Sequence, residues 1–217
     1  MALLKAIVST ILYLIFMELV TTWVFLFDYD VPVYKYSLVI NSAINVIAVY
    51  IFIRVIKTSE SRLPQKTNIK WYLFAFLIGS TYYYIQLPLN KIYYLVEGSG
   101  YNILIDFDGI KNLKNIRVIA IILLMPITEE LFFREYIQQN LQKAFKPVIA
   151  IIIASLLFAA LHLPYSAYFV ESHSFSFHTA YIALFGGLIS GVIYYRSKSI
   201  GPSIVMHIMW NFVVTLA

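Results

Sequence analysis

Residues 116–141 read IRVIAIILLMPITEELFFREYIQQNL, an apolar stretch long enough to cross a bilayer that nevertheless carries Glu129, Glu130 and Arg134 near its middle. Carboxylates and guanidinium groups inside a membrane helix are costly unless they pair with one another or face a wet cavity. Two further patterns, Phe158 with His162 and His207 with Asn211, sit in the next apolar stretch and in the last one. Read together, the three patterns predict a buried polar site in a protein solvated mostly by lipid.

The composition agrees. Of the 217 residues 61% are apolar and only 12% are charged, with a mean hydropathy of +0.78, which points to an all-α, polytopic transmembrane helical bundle. The chain has no Cys, which excludes disulfides, thiolate metal sites and a cysteine nucleophile. A net charge of +5 would suit nucleic acid on a soluble protein. Here Arg54, Lys57, Arg62, Lys66 and Lys70 cluster between apolar runs, the pattern of a cytoplasmic loop, and no nucleic-acid partner is expected. Without a polar stretch long enough to build its own core, residues 1–217 read as a single integral-membrane domain, with the candidate catalytic motifs in 116–217. Sequence repeats, low-complexity tracts and Gly-rich phosphate loops are not found.

Seven spans follow from the ~20 apolar residues that a bilayer core demands. They fall at roughly 6–27, 37–56, 71–89, 116–141, 147–164, 176–195 and 200–216. The segment YYLVEGSGYNILI, broken by Glu97 and two glycines, is too short to span; it suits an interfacial or re-entrant piece and leaves an eighth crossing open. With the N-terminus cytoplasmic, the basic loop, Lys143, Lys146, Arg196 and Lys198 fall inside. Asp28, Asp30, Glu97, Asp106, Asp108 and Glu171 then fall outside, so a multi-pass protein of the cell membrane with an external C-terminus is expected.

Within 116–141, Pro126 removes a backbone donor one turn before the carboxylates, so a distortion of the helix is expected there. Glu130 and Arg134 are four apart with the acid first, the favourable order for a same-face ion pair. Glu129 points about 100° away and must find partners on another helix. Phe158 and His162 share a face, with Pro164 closing the helix; His207 and Asn211 share a face of the last span. Each pair read alone suits interhelical hydrogen bonding, and the Glu130–Arg134 pair read alone suits a structural salt bridge. As a set they offer a carboxylate to deprotonate water, imidazoles to orient it, and a His–Asn pair to hold an oxyanion, which are the parts of a hydrolase.

EELFFR, FAALH and HIMWN resemble the E-E-x-x-x-R, F-x-x-x-H and H-x-x-x-N motifs of the CPBP family of intramembrane proteases, the CAAX-processing and bacteriocin-processing group also called Abi proteins. The resemblance covers roughly residues 116–217, with the motifs in family order. It implies an intramembrane endopeptidase in which Glu129 activates water, Glu130 and Arg134 support it, His162 binds or polarises the water, and His207 with Asn211 forms the oxyanion hole. One departure is Glu135, where many relatives have Gly.

The resemblance implies a metal-free glutamate mechanism with no cofactor. A zinc-dependent version, with Glu129, His162 and His207 as ligands and an open position for water, is the alternative. Membrane lipids and a peptide or membrane-protein substrate are the expected partners. A non-enzymatic immunity or interaction protein that meets a bacteriocin-related peptide is a second reading, and a carrier of protons or small solutes a third. Among the remaining polar residues, Glu18, Asn41 and Asn45 suit a substrate route or, more simply, interhelical hydrogen bonds. Gly186, Gly187, Ser190 and Gly191 suit close helix packing. His173 and His178 read as loop or interface residues, Ser155 and Ser203 as helix-lining hydroxyls, and Tyr82 to Tyr84 with Tyr93 and Tyr94 as an interfacial aromatic belt.

Overall fold

The computed structural model describes residues 1–23, 32–56, 67–99, 111, 113–165 and 176–216. Seven helices run through them, and no strand occurs among the described residues. They are α1 (Ala2–Thr22), α2 (Pro32–Ile56), α3 (Ile69–Glu97), α4, α5 (Pro147–Ala160), α6 (His178–Ser197) and α7 (Ile200–Leu216). The fourth helix, α4, is continuous but changes register, through Ile116–Ile119, Ala120–Leu124, Met125–Glu130, Leu131–Gln138 and Gln139–Gln142, the second and fourth pieces being π-helical.

Local chemistry sets the helix ends. Asn68 and Asn115 accept from the backbone N–H of Lys70 and Arg117, at 2.9 and 3.0 Å, and so cap α3 and α4. Pro147 occupies the first turn of α5, where its missing N–H costs nothing. Gly98, at φ 77°, takes the left-handed turn that ends α3. The helix α3 runs through Pro88 to Glu97, so Tyr93–Glu97 continues α3 and is not a separate interfacial piece, while the rest of that segment, from Gly100 on, lies outside the described residues.

Burial is inverted relative to a soluble bundle. Leu12, Leu77 and Val148 are 60%, 61% and 66% exposed, whereas Arg134, Glu135 and Gln138 are fully enclosed. Many large apolar side chains face outward while charged and amide side chains are enclosed, which is favourable only where the surroundings are hydrocarbon. The segments Ala2–Thr22, Tyr36–Ile56 and His178–Ser197 are each long and apolar enough to cross a membrane, and Pro147–Ala160 and Ile200–Leu216 are shorter apolar helices. The chain is a helical membrane protein.

Helix α7 packs most extensively on α3, and α5 on α6. Gly79 of α3 lies where an added Cβ would stand 2.7 Å from Met209 Cβ, so this glycine lets α3 and α7 approach closely. At the centre α4 is enveloped: all eight residues of Leu131–Gln138 are buried. Tyr82 departs from the interfacial reading. It is completely buried, donates to the Ile182 carbonyl at 3.2 Å and lies 4.4 Å from the Trp210 ring, so it is a core residue. Asp28, Asp30, Lys57, Arg62, Lys66, Asp106, Asp108 and Glu171, whose charges underlie the expected orientation, lie outside the described residues, as does His173.

Candidate active site

The site grows from α4. In its first π stretch the Met125 N–H reaches back five residues to the Ala120 carbonyl. The next N–H in that register would be residue 126, which is proline, so the Ile121 carbonyl has no helical donor. The side-chain amide of Asn211 supplies one from α7, at 2.9 Å. The distortion expected at Pro126 thus takes the form of a π register with an interhelical hydrogen bond at its freed carbonyl.

One turn later, Glu130 is surrounded by donors from three helices. Arg134 Nε approaches it at 3.3 Å, Ser190 Oγ of α6 at 2.5 Å and His207 Nδ1 of α7 at 3.1 Å. Ser190 is held in turn by α7, since Ser203 Oγ donates to the Ser190 carbonyl at 2.9 Å. The ion pair expected from the spacing is therefore present, and it is fully enclosed. Arg134 also points Nη1 at Gln138 Oε1, 3.4 Å away, and Gln138 donates to the Gly191 carbonyl at 2.9 Å. Among the described residues Arg134 Nη2 has no hydrogen-bond partner, and the guanidinium lies 5.6 Å from the centre of the Phe158 ring.

Glu129 faces the other nitrogen of the same imidazole: its Oε2 lies 3.7 Å from His207 Nε2, beyond direct hydrogen-bonding distance. One histidine on α7 thus stands between two adjacent carboxylates on α4. Its ring stacks on Trp210, at 5.1 Å, and meets the edge of Phe158 at 5.8 Å.

His162 joins the group through Phe158. Helix α5 ends at Ala160, two residues before it, and His162 Nδ1 stands 3.1 Å from the Phe158 carbonyl while its ring lies 4.8 Å from the Phe158 ring. Both imidazoles therefore contact the same phenyl ring. Glu129, Glu130, Arg134 and His207 form one contiguous cluster, which His162 meets through the Phe158 ring, while Asn211, one turn after His207 on α7, is bonded to the Ile121 carbonyl. A zinc site built on Glu129, His162 and His207 needs all three to converge, and among the described residues no three His, Asp or Glu side chains are grouped to hold a metal ion.

Several participants carry little signal in the sequence. Ser190 binds Glu130 directly, yet one serine in a Gly-rich helix reads as packing. Gln138, two turns beyond Glu130, links Arg134 to α6. The glycines of α6 do pack closely, as their spacing suggests: an added Cβ on Gly187 would lie 3.3 Å from Arg134 Nη2, and one on Gly191 2.9 Å from Gln138 Oε1. Glu135 points elsewhere than the cluster and accepts from Tyr194 Oη at 2.7 Å. Asn41 accepts from Trp23 Nε1 at 2.6 Å, the interhelical role its position suggests. His178 bonds Asn90 at 2.8 Å and ties α6 to α3.

Residues 112–213 match the model of a family described as type II CAAX prenyl endopeptidase, Rce1-like. Neither the curated proteins nor the solved structures contain a match to this chain. The matched segment begins just before α4 and contains all three motifs and the whole polar cluster, and it belongs to the Rce1-like CAAX endopeptidases of the CPBP, or Abi, family.

Proposed function

We propose that the chain is an intramembrane endopeptidase that hydrolyses a peptide bond in or near the bilayer, with Glu129 as general base. The observation that carries this reading is His207 standing between Glu130, at 3.1 Å, and Glu129, at 3.7 Å. Glu130 already accepts from Arg134 and Ser190, so it acts as a carboxylate and His207 Nδ1 is the donor toward it. With His207 protonated on both nitrogens, the four groups Glu129, Glu130, Arg134 and His207 sum to zero charge, which suits a low-dielectric interior.

Water bound beside Glu129 attacks the substrate carbonyl carbon as Glu129 takes one of its protons. The carbonyl π pair moves to oxygen, where His207 Nε2–H and the second amide hydrogen of Asn211 stabilise the negative charge. Collapse of this intermediate breaks the C–N bond, and Glu129 returns its proton to the leaving amine. Glu130 and Arg134 position His207, and His162 orients the water. No covalent acyl-enzyme is required.

The whole chain serves as one membrane domain in this reading, with a cytoplasmic N-terminus and an external C-terminus, and the substrate is a peptide or a membrane-protein tail. The test is mass-spectrometric comparison of peptides released by wild type and by Glu129→Gln from a mixed peptide library in proteoliposomes. Wild type cleaves, and the variant loses about 10²–10⁴-fold in rate while remaining folded. Cleavage unchanged by Glu129→Gln ends the reading. Turnover is expected to survive chelation, whereas stoichiometric zinc with chelator-reversible loss of activity restores the zinc alternative.

A further inference from the structure

The hydrogen bond between His207 Nδ1 and Glu130, at 3.1 Å, fixes one atom of the imidazole and leaves the ring free to tilt about it. The plane of the ring is set by a neighbour on the same helix. Trp210 follows three residues later on α7, and its ring stands 5.1 Å from that of His207 at an interplanar angle of 24°. Phe158 meets the same imidazole nearly at right angles, at 5.8 Å and 87°, so of the two rings it is the indole that lies almost parallel to it.

The indole is itself seated by two other helices. Tyr82 of α3 packs against it at 4.4 Å, and Tyr82 is fully buried and donates to the Ile182 carbonyl of α6 at 3.2 Å, which anchors the phenol. Gly186 of α6 lies against the six-membered ring, where an added Cβ would overlap Trp210 Cζ3 and Cη2. Tyr82 belongs to no part of the segment that matches the family, so α3 reaches the site through this series of rings. Packing alone would be satisfied by any large apolar side chain. The partner asks for more: an indole face attracts cations, and the ring it faces directs its two nitrogens at two carboxylates, Glu130 at 3.1 Å and Glu129 at 3.7 Å.

We propose that Trp210 is a positioning residue: its indole, backed by Tyr82 and seated on Gly186, fixes the plane of the His207 ring so that Nε2 stays directed toward Glu129. The inference rests on the endopeptidase reading and gives α3 and α6 a part in aligning the site.

Two readouts test it on the full chain in nanodiscs, and one of them needs no turnover. In a Trp23→Phe, Trp71→Phe background Trp210 is the one tryptophan left. A doubly protonated imidazole stacked on an indole accepts an electron from its excited state, so the emission should be weak and should rise when His207→Gln is added. The second readout is cleavage of the mixed peptide library. Trp210→Phe keeps a flat ring and should retain kcat within about threefold, whereas Trp210→Leu should lower kcat about tenfold at an unchanged KM, the size expected for the loss of one cation–π contact. Gly186→Ala should lower kcat in the same way, although the nearest neighbours of its new methyl group are all atoms of Trp210, and adding Trp210→Phe should restore part of the loss. Where a cavity-forming or overpacked variant fails to fold, the emission of the His207→Gln pair decides. Emission unchanged by His207→Gln, or a Trp210→Leu variant with wild-type kcat whose loss is confined to KM or to melting temperature, overturns the inference and leaves the endopeptidase reading standing. A rise in emission in a chain without turnover supports the stack and overturns the endopeptidase reading.

Discussion

His207 presents Nδ1 to Glu130 at 3.1 Å, inside a cluster where that carboxylate also accepts from Arg134 and Ser190. A carboxylate on one imidazole nitrogen holds the ring in place and so aims the other nitrogen toward Glu129, the logic of an oriented histidine. The two adjacent glutamates thereby differ in their surroundings: Glu130 is taken up by internal donors, and Glu129 lies 3.7 Å from the other nitrogen of the same ring.

Replacing Glu130 with Gln separates positioning from stability. The substitution leaves Arg134 enclosed without a counter-charge and should cost about 3–5 kcal/mol, read as a lowered melting temperature in detergent. Adding Arg134→Met removes the stranded charge and should recover most of that loss. Activity should stay low in the double variant, because His207 still lacks the carboxylate that orients it. Recovery of stability and turnover together would make the Glu130–Arg134 pair a structural bridge only.

Ser190→Ala tests the donor that lies closest to Glu130, at 2.5 Å. A hydrogen bond to a buried charge contributes about 1.5–3 kcal/mol, so unfolding should become easier by that order. Ser203→Ala removes a bond to a neutral carbonyl and should cost only about 0.5–1.5 kcal/mol. Thermal melts of the two purified variants give the order, and equal losses would show that Ser190 does not bear on the charge.

Gly191→Ala puts a methyl group 2.9 Å from both Gln138 Oε1 and Ile151 Cγ2. Ile151 is β-branched and stiff at χ1 on α5, so the longer and more flexible Gln138 gives way first and releases Arg134 Nη1. An overpacking cost of about 1–3 kcal/mol is expected, together with reduced turnover, although the residue touches neither substrate nor Glu129. A stable variant with wild-type rates would mean that Arg134 needs no support from Gln138.

How much of this the sequence discloses depends on the distance over which each feature is decided. The Glu130–Arg134 pair is legible because both partners ride one helix four residues apart, and the outward apolar surface is legible because composition alone sets it. The meeting of His207 with Glu129 is not. Counting along straight helices from the flanking basic residues at ~1.5 Å per residue puts them at different depths, about 18–20 Å for Glu129 and about 13 Å for His207. Helix register and packing remove that difference, with two π stretches in α4 and glycines in α3 and α6 that admit close neighbours. Tyr82 reads as interfacial because it sits in a run of three tyrosines, and only the seating of α7 against α3 shows it to be core.

Asn211 and Pro126 should be energetically coupled across two helices. Asn211→Leu removes the donor to the Ile121 carbonyl, leaving that oxygen without a partner, at a cost of about 1–3 kcal/mol. Pro126→Ala restores a backbone N–H at the one position that can reach Ile121 in the π register. In that background Asn211→Leu should cost less than half as much, and the double-mutant cycle should show a coupling of about 1 kcal/mol. Melting temperatures or denaturant midpoints of the four proteins measure it. Strict additivity would mean that the amide of Asn211 does not compensate for the proline, and would return both of its hydrogens to the oxyanion.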